Sequence, residues 1–447
     1  MKKKNICRIS RRNLPEKSLR LSSGKRHRRV YWTQTDREKR DMKMWDMRSS
    51  IAVTCSLPYG TGSRLPGGGG TADIVSYARE MGRAYIHIDP DGGTSVLSET
   101  NVFFKGLRHL NTLNAEQTPG GTDEEMCWFS ETLRNGCAKY GLSSDLIAPL
   151  EEDIIPAFAR IDQLAMHYQK RHLNAGTMIA LLATLAVATV TIQVLFIPHH
   201  PEVLWLEFLE MATIIGTIII SRRGEWHRKW IEYRIIAEQL RAYPFLILAG
   251  MNPTERRGTD PGDHGADDWT GMVIADFWKH PPSLPESIHE NNTAIFNFIT
   301  GEYLEDQARY YRKANSRHEN RDETLEKVGI GLFIITMLAS ALHALGVGHS
   351  SAAHDAVLQI PALLTFFAIL LPASGGALAT IQVQREYRKN ALRYDAIARQ
   401  LTILIRRMRA SQTLETSREI LGEAYALITS ENQDWRITLI VRQLHPA

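Results

Sequence analysis

The sequence contains one glycine-rich stretch whose residue types could bind a phosphate, Pro66–Asp73 (PGGGGTAD). A strand-like segment, Ile51–Cys55, precedes it, and a helical pattern (IVSYAREMG) and a second strand-like segment (AYIHID) follow. Glycines let the backbone approach a phosphate, and the N–H groups at the start of the following helix attract negative charge. This order indicates a nucleotide-binding fragment, whose candidate ligand residues are Gly67, Gly68, Gly69, Gly70, Thr71 and Asp73.

The glycine-rich stretch matches neither of the two common phosphate-binding patterns. It lacks GxxxxGK[ST], which excludes a P-loop ATPase, and it lacks GxGxxG, the usual dinucleotide fingerprint. A flexible glycine-rich loop without a ligand is the alternative reading of the same residues.

Two acidic residues lie within an otherwise apolar stretch. Glu207 and Glu210 are one helical turn apart and share a helix face. A carboxylate inside a membrane span is energetically costly and often lines an ion path. Both residues are also within two turns of the end of the stretch, where water is near. A pore or gating role and simple interfacial solvation are both open.

Charged and aromatic residues repeat on the helices that follow the apolar stretches. Glu238 is within helical reach of Arg234 and Arg241. These charges form either a solvated ion-pair face or pairs between helices that carry a signal to the spans. The candidate signal-coupling residues are Tyr233, Arg234, Glu238, Arg241, Tyr394 and Arg399.

No arrangement of residues is specific enough to predict catalysis, a metal site or a cofactor. The four cysteines, Cys7, Cys55, Cys127 and Cys137, form no CxxC pair, which is typical of free thiols in a reducing compartment. Histidines near the short connections have no fixed spacing and are expected to be ordinary polar residues. The sequence therefore predicts a protein that is not an enzyme.

The elements that must position these residues are four apolar runs, at residues 178–197, 204–220, 328–347 and 356–381. Each is about long enough to cross a hydrocarbon core of roughly 30 Å at about 1.5 Å per helical residue. The fold class is therefore mainly α, a polytopic membrane protein with two tandem two-span hairpins and cytoplasmic helical extensions. A small partial α/β, Rossmann-like fragment lies near the N-terminus.

The fourth run contains residues that disturb helices. Pro361, Pro372 and the pair Gly375-Gly376 are expected to kink or tilt it.

The distribution of lysine and arginine predicts how the runs are oriented. Basic residues precede runs one and three and follow runs two and four, whereas the short connections IPHHPEV and GVGHSSAAHD contain neither Lys nor Arg. By the positive-inside rule, both termini and the long middle segment face the cytoplasm.

An internal repeat relates the two halves of the membrane region. Tyr233–Leu240 and Tyr394–Leu401 both read YxxIAxQL after the second run of each pair. Ala165–Lys170 and Ala308–Lys313 both read AxxYxK before the first run. The shared order favours duplication of a helix–span–span–helix unit.

This repeated unit resembles the SLATT family, the two-span effector domains that accompany SLOG sensors and nucleotide synthetases in bacteria. The resemblance rests on the AxxYxxR/K pattern, on Trp230–Arg241 after the second run, and on Glu431-x-x-x-Trp435. The second unit departs from the pattern at Arg399 and Thr402 and is the weaker match. The resemblance implies oligomerisation and membrane permeabilisation when a sensor detects an infection-linked nucleotide.

The glycine-rich fragment is similar to the PGGxGT loop of lysine-decarboxylase-like and SLOG Rossmann-like proteins, over residues 49–90 only. In the hydrolase branch of that superfamily a catalytic Glu follows the Thr by three residues. Ile74 holds that position here, so the resemblance implies nucleotide binding rather than hydrolysis. A complete domain of this type needs two or three further β-α units upstream.

The predicted organisation runs from a basic tail to two SLATT-like units. Residues 1–30 carry twelve Lys/Arg against the single Glu16, and such a tail is expected to be disordered. The segments are 1–48 (tail), 49–90 (SLOG-like fragment), 91–157 (linker and helix), 158–250 (first unit), 251–299 (cytoplasmic linker) and 300–447 (second unit).

The four runs predict a multi-pass protein of the inner membrane, and the two resemblances imply an effector of a bacterial anti-phage system that is opened by a nucleotide signal. The expected partners are the lipid bilayer, further copies of the chain, a nucleotide second messenger or NAD-related ligand, and an adjacent nucleotide synthetase. Nucleic acid is not an expected partner. A membrane scaffold that recruits a partner is the alternative, and a small-solute transporter built from a parallel repeat is a third.

Overall fold

The computed structural model describes residues 87–88, 94–95, 101–253, 269–285, 291–347 and 360–444, without the side chains of residues 101–105, 107 and 430–444. The predicted basic tail and the candidate nucleotide-binding residues Gly67 to Thr71 and Asp73 lie outside the described residues. The only described part of the SLOG-like fragment is a two-residue strand. That strand, β1 (His87–Ile88), pairs antiparallel with β2 (Thr94–Ser95).

The described chain is otherwise helical. The helices are α1 (Asn101–Ala115), α2 (Thr122–Lys139), α3 (Ala148–Glu152), α4 (Ile154–Phe196), α5 (Leu204–Arg223), α6 (Trp226–Leu248), α7 (Trp269–Lys279), α8 (Asn292–Phe298), α9 (Glu305–Ala344), α10 (Ile360–Arg385), α11 (Tyr387–Ala410) and α12 (Leu414–Leu444). A π-helical segment, Ile299–Leu304, joins α8 to α9.

The chain divides into two compact units. The smaller unit includes described residues 101–134, 145–159 and 269–285, and the larger unit includes residues 135–144, 160–251 and 291–444.

The core of the smaller unit is made of apolar side chains. Phe129 and Phe158 are buried, with their ring centroids 4.6 Å apart. Arg134 and Glu151 pair at the edge of this core, where the arginine Nε donates to the carboxylate at 2.7 Å. Helix α1 approaches α7 at Gly106, where an added Cβ would lie 3.3 Å from the Cβ of Trp269.

Four helical stretches in the described chain are long and apolar enough to cross a membrane. They are Ile154–Phe196, Pro201–Leu248, Asn292–Ala344 and Ile360–Ala410. Each includes all or most of one of the four predicted apolar runs, so this is a multi-pass membrane protein. Helix α4 is one continuous helix that includes both the segment before the first run and most of that run.

The apolar helices of the larger unit contact one another through polar as well as aromatic side chains. Helix α9 meets α10 where Gln382 donates a hydrogen bond to Asp322. Helix α4 meets α10 where the rings of Phe196 and Phe366 lie 6.0 Å apart. Near the other end of the same contact, the Gln384 amide donates to the backbone carbonyl of His172 at 3.3 Å.

Two helix ends show how local chemistry sets the boundaries of the runs. Helix α9 ends at Ala344, and Gly346 follows with φ of +75°, a left-handed conformation that glycine adopts without steric cost. Helix α10 continues through Pro372 to Arg385. The residues expected to disturb the fourth run therefore do not end the helix. Pro361 lies in its first turn, where the missing N–H has no cost.

Two segments interpreted as linkers contain helices. Helix α1 lies within residues 91–121, and α7 and α8 lie within residues 251–299. In α1, Leu110 and Leu113 are three residues apart and buried, and in α7 Trp269 is buried. Glycines and polar residues interrupt the apolar periodicity of these short helices, so the sequence pattern did not predict them.

The cysteines differ from the prediction in one respect. Cys137 is a buried free thiol, and burial raises its pKa to about 11. Cys127 forms a disulfide, so the expectation of free thiols throughout is wrong at that position.

Candidate functional site

A network of buried charges joins the helices before and after the first pair of apolar runs. It consists of Asp162 on α4 and of Arg234, Glu238 and Arg241 on α6. Arg241 Nη2 lies 3.6 Å from the Asp162 carboxylate, and Arg241 Nη1 lies 3.4 Å from Glu238 Oε1. Arg234 pairs with the same Glu238 oxygen. Both contacts of Glu238 thus lie within α6, and the contact between Arg241 and Asp162 joins the two helices.

Burial makes this network electrostatically strong. The Glu238 and Asp162 side chains are only 9% and 6% exposed. Burial alone would raise the pKa of Glu238, but Arg234 and Arg241 outweigh it and lower that pKa below its ordinary value. Burial alone would likewise lower the pKa of Arg241, and the neighbouring Glu238 raises it. Glu238 and Arg241 are therefore both charged in the folded protein at neutral pH.

A tyrosine pair joins the same two helices closer to the apolar region. The rings of Tyr168 and Tyr233 are buried and meet edge to face, with centroids 5.8 Å apart. Lys229 lies over the Tyr168 ring at 4.8 Å, and its ammonium group donates to the Tyr168 hydroxyl at 3.2 Å. Tyr233, predicted from the repeated motif, thus packs against the tyrosine of the other motif.

A similar tyrosine pair lies within residues 300–447, the second SLATT-like unit of the sequence. Tyr311 on α9 and Tyr394 on α11 have ring centroids 5.6 Å apart. His318 lies against the same group, 5.3 Å from the Tyr394 ring. Burial is the main cause that lowers the pKa of His318, and Arg317 and Arg321 add to the effect. This histidine is therefore neutral near pH 7.

Arg399 does not belong to a buried network. It pairs with Asp395, one turn earlier on α11, at 2.8 Å, and its side chain is 72% exposed. An exposed ion pair within one helix contributes little energy. The structure thus separates Arg399 from the other predicted signal-coupling residues.

The two predicted intramembrane acids occupy different environments. Glu210 is 4% exposed, and its Oε1 accepts a hydrogen bond from Thr189 of α4 at 3.2 Å. Its other oxygen, Oε2, is buried and has no hydrogen-bond partner. Glu207 is only half-buried. Gln193, one turn beyond Thr189 on α4, is also buried.

Sequence reasoning missed several residues of these groups. Asp162, Lys229 and His318 were not singled out, because their partners lie on helices far away in the sequence. One signal was available for Asp162. It lies three residues before Ala165 of the AxxYxK motif, on the face that the motif itself predicts to be buried.

Among the described residues, no group of three or more His, Cys, Asp or Glu side chains could hold a metal ion.

Residues 302–435 match the family model for the SMODS and SLOG-associating 2TM effector domain 1. The predicted SLATT resemblance is confirmed for this segment. The matched segment lies in the second SLATT-like unit, residues 300–447, which is the weaker of the two units in its agreement with the sequence motifs. Its α9, α10 and α11 supply the helix–span–span–helix order of the motif. Comparison with curated proteins gave no match, and comparison with solved structures gave none either.

Proposed function

From the match of residues 302–435 to a two-span effector domain, we propose that this chain is a non-enzymatic membrane effector of a bacterial conflict system. It permeabilises the inner membrane in response to a nucleotide signal. The observation that carries the proposal is the occurrence of that domain in a chain with four helical stretches able to span a membrane.

The proposed topology follows from the basic residues at the ends of the spans. Arg222 and Arg223 end α5, and Arg385 ends α10, while the connection between α4 and α5 has neither Lys nor Arg. The positive-inside rule then places the helical extensions and both termini in the cytoplasm. Each pair of spans forms a hairpin whose short connection faces outward.

We further propose that the two hairpins are copies of one duplicated unit. In both, a tyrosine before the first span packs against the tyrosine of YxxIAxQL after the second, at 5.8 Å for Tyr168–Tyr233 and 5.6 Å for Tyr311–Tyr394. Two short motifs that meet in the same way in both halves favour common descent over chance.

Glu210 is the residue we assign to the ion path. A carboxyl group in a hydrocarbon environment is costly unless it is paired or hydrated. Thr189 satisfies only one of the Glu210 oxygens, and the other is buried without a partner. Opening of the helices, or assembly with further copies, would hydrate this oxygen. A row of such carboxylates from several copies would favour cations.

The buried charge network provides a route for the signal. Asp162 and Arg241 connect α4, which runs into the first span, to α6, which follows the second. A nucleotide or partner that binds on the cytoplasmic side and displaces α6 would therefore act on α4 through a charged contact. The candidate ligand residues Gly67 to Thr71 and Asp73 are the proposed site for that nucleotide, and an adjacent synthetase is its proposed source.

Membrane potential in cells that overexpress the chain tests the proposal. We expect depolarisation with the wild type and a tenfold or larger loss of ion flux with Glu210→Gln, measured with a voltage-sensitive dye. Glu207→Gln is the matched control, because it removes a carboxylate charge one turn away whose side chain is only half-buried. We expect its flux to stay within about twofold of wild type.

A normal membrane potential on overexpression, both with and without infection, would contradict the proposal. Recovery of one fixed partner protein in that situation would support the scaffold function instead.

A further inference from the structure

Each pair of apolar helices continues into its extension through a similar joint. Helix α5 ends at Arg223, and α6 begins after Glu225. Helix α10 ends at Arg385, and α11 begins after Glu386. The two glutamates have φ of 50° and 46°, and among the described residues no other non-glycine residue has a positive φ. Each joint therefore turns on a single residue in the left-handed conformation.

The backbone hydrogen bonds of the first joint are short and local. The N–H of Glu225 donates to the carbonyl of Arg222 at 3.1 Å, and the carbonyl of Glu225 accepts from the N–H of Lys229 at 2.9 Å. The Glu225 carboxylate pairs with Arg228, three residues later.

The second joint has the same bonds at the same spacing. The N–H of Glu386 donates to the carbonyl of Val383 at 3.3 Å, and its carbonyl accepts from the N–H of Asn390 at 2.9 Å. The Glu386 carboxylate lies 3.8 Å from the Lys389 ammonium group, again three residues later. Each glutamate stands eight residues before the tyrosine of its YxxIAxQL motif.

Glutamate is an unfavourable residue for this conformation. Its Cβ crowds the backbone in the left-handed region, whereas glycine has no such cost. Glutamate is also a good helix former. Returning Glu386 from the left-handed to the right-handed region would merge α10 and α11 into one continuous helix, without a proline at the joint to prevent it.

Buried polar atoms without hydrogen-bond partners are concentrated at the second joint. They are Gln384 Oε1, Arg385 Nε, Asn390 Oδ1 and Glu386 Oε2, which accepts no hydrogen bond although it lies 3.8 Å from Lys389 Nζ. His318 Nδ1, on the helix that packs against the joint, is a fifth. Buried polar groups are nearly always satisfied in a relaxed structure. Five such atoms beside a residue held in the left-handed region mark the joint as strained, and strain of this kind occurs at switch regions.

We propose that Glu225 and Glu386 are matched hinges that switch between a bent, left-handed joint and a continuous helix. In the straight state each extension helix continues the axis of its span, so the extension and the span move together. The inference rests on the proposed function only for the consequence of this movement, which is opening of the membrane path.

Hydrogen–deuterium exchange of the full chain in lipid nanodiscs, followed by mass spectrometry, tests the hinge. In the bent state the first-turn amides of α11 have no intrahelical acceptor and exchange freely, and in the straight state they are protected. Glu386→Gly removes the left-handed cost and should shift the ratio of bent to straight by about 5- to 30-fold toward bent. Glu386→Ala favours a helix and should shift it by about two- to fivefold toward straight.

Arg388→Gly is the matched control, because Arg388 is exposed and lies in α11, two residues after Glu386. Glycine there should lower the melting temperature, whereas Glu386→Gly should not. Equal protection of the first-turn amides in wild type, Glu386→Gly and Glu386→Ala would overturn the hinge, since the joint would then be a fixed bend. A difference in protection without any ion flux would support the hinge and count against the proposed function alone.

Discussion

At the scale of single residues, burial distinguishes groups that look alike in the sequence. Arg241 and Arg399 lie on α6 and α11, the helices that follow α5 and α10. Arg241 lies between two nearly inaccessible carboxylates, while Arg399 pairs with one neighbour in solvent. Glu210 and Glu207 differ in the same way. An isolated charge pattern does not determine which residue is buried.

We predict that Arg241→Ala destabilises the folded chain by about 3–5 kcal/mol, because it leaves Asp162 and Glu238 as buried charges with less compensation. Thermal unfolding of the detergent-solubilised protein, followed by circular dichroism, measures the effect. Arg399→Ala is the control, and its cost should be below about 0.5 kcal/mol because its pair is exposed. Equal losses for the two variants would show that the network contributes no more than a surface pair.

At the scale of elements, close helix contacts depend on particular glycines. Gly136 on α2 faces α8 and the π-helical segment after it. An added Cβ there would lie 2.6 Å from the Phe298 ring and 2.8 Å from Glu302 Cγ. Phe298 is fully buried and cannot easily move aside. Lys139, three residues beyond Gly136, holds the same contact through a 2.8 Å bond to Glu302.

We predict that Gly136→Ala lowers stability by about 1–3 kcal/mol through overpacking against Phe298. Gly329→Ala is the control, because Gly329 is also helical but has no atom within 4 Å of an added Cβ. That variant should be neutral or slightly stabilising, since alanine favours a helix. Melting temperatures measure both.

In a Phe298→Leu background, Gly136→Ala should cost less stability than it does in the wild type, because leucine leaves room for the added methyl group. An additive loss would contradict the predicted contact.

At the scale of the whole molecule, the chain is a multi-pass membrane protein in which residues 302–435 match the family model of a two-span effector domain. Of the 18 consecutive residues that are most apolar in each stretch, 28% are buried in Ile154–Phe196 and none is buried in Ile360–Ala410. The apolar residues of the last span are therefore at least partly exposed within a single chain.

We predict that reporter fusions will place the C-terminus and the middle segment in the cytoplasm and the connection between α4 and α5 outside it. Alkaline phosphatase inserted after His200 should be active, and the same enzyme inserted after Glu290 should be inactive. Green fluorescent protein fused after Ala447 should fluoresce. The physical reason is the cost of moving the flanking Lys and Arg residues across the membrane. Activity after Glu290 would contradict the proposed topology.

The sequence by itself determined the four apolar helices, because about twenty consecutive uncharged residues have few alternatives to a span. It also determined the SLATT resemblance of the second unit, which depends on short motifs. It did not find α1, α7 and α8, whose apolar faces are short and interrupted by glycine and polar residues. The glycine-rich fragment, Gly67 to Asp73, stays a prediction.

Only the tertiary structure decided which charges act together. Asp162 and Arg241 are distant in sequence, and only the packing of α4 on α6 removes both from water and makes their pairing strong. The left-handed Glu225 and Glu386 have no signal in composition, since glutamate ordinarily continues a helix. Long-range packing and backbone strain are properties of the folded chain, and local sequence patterns do not encode them.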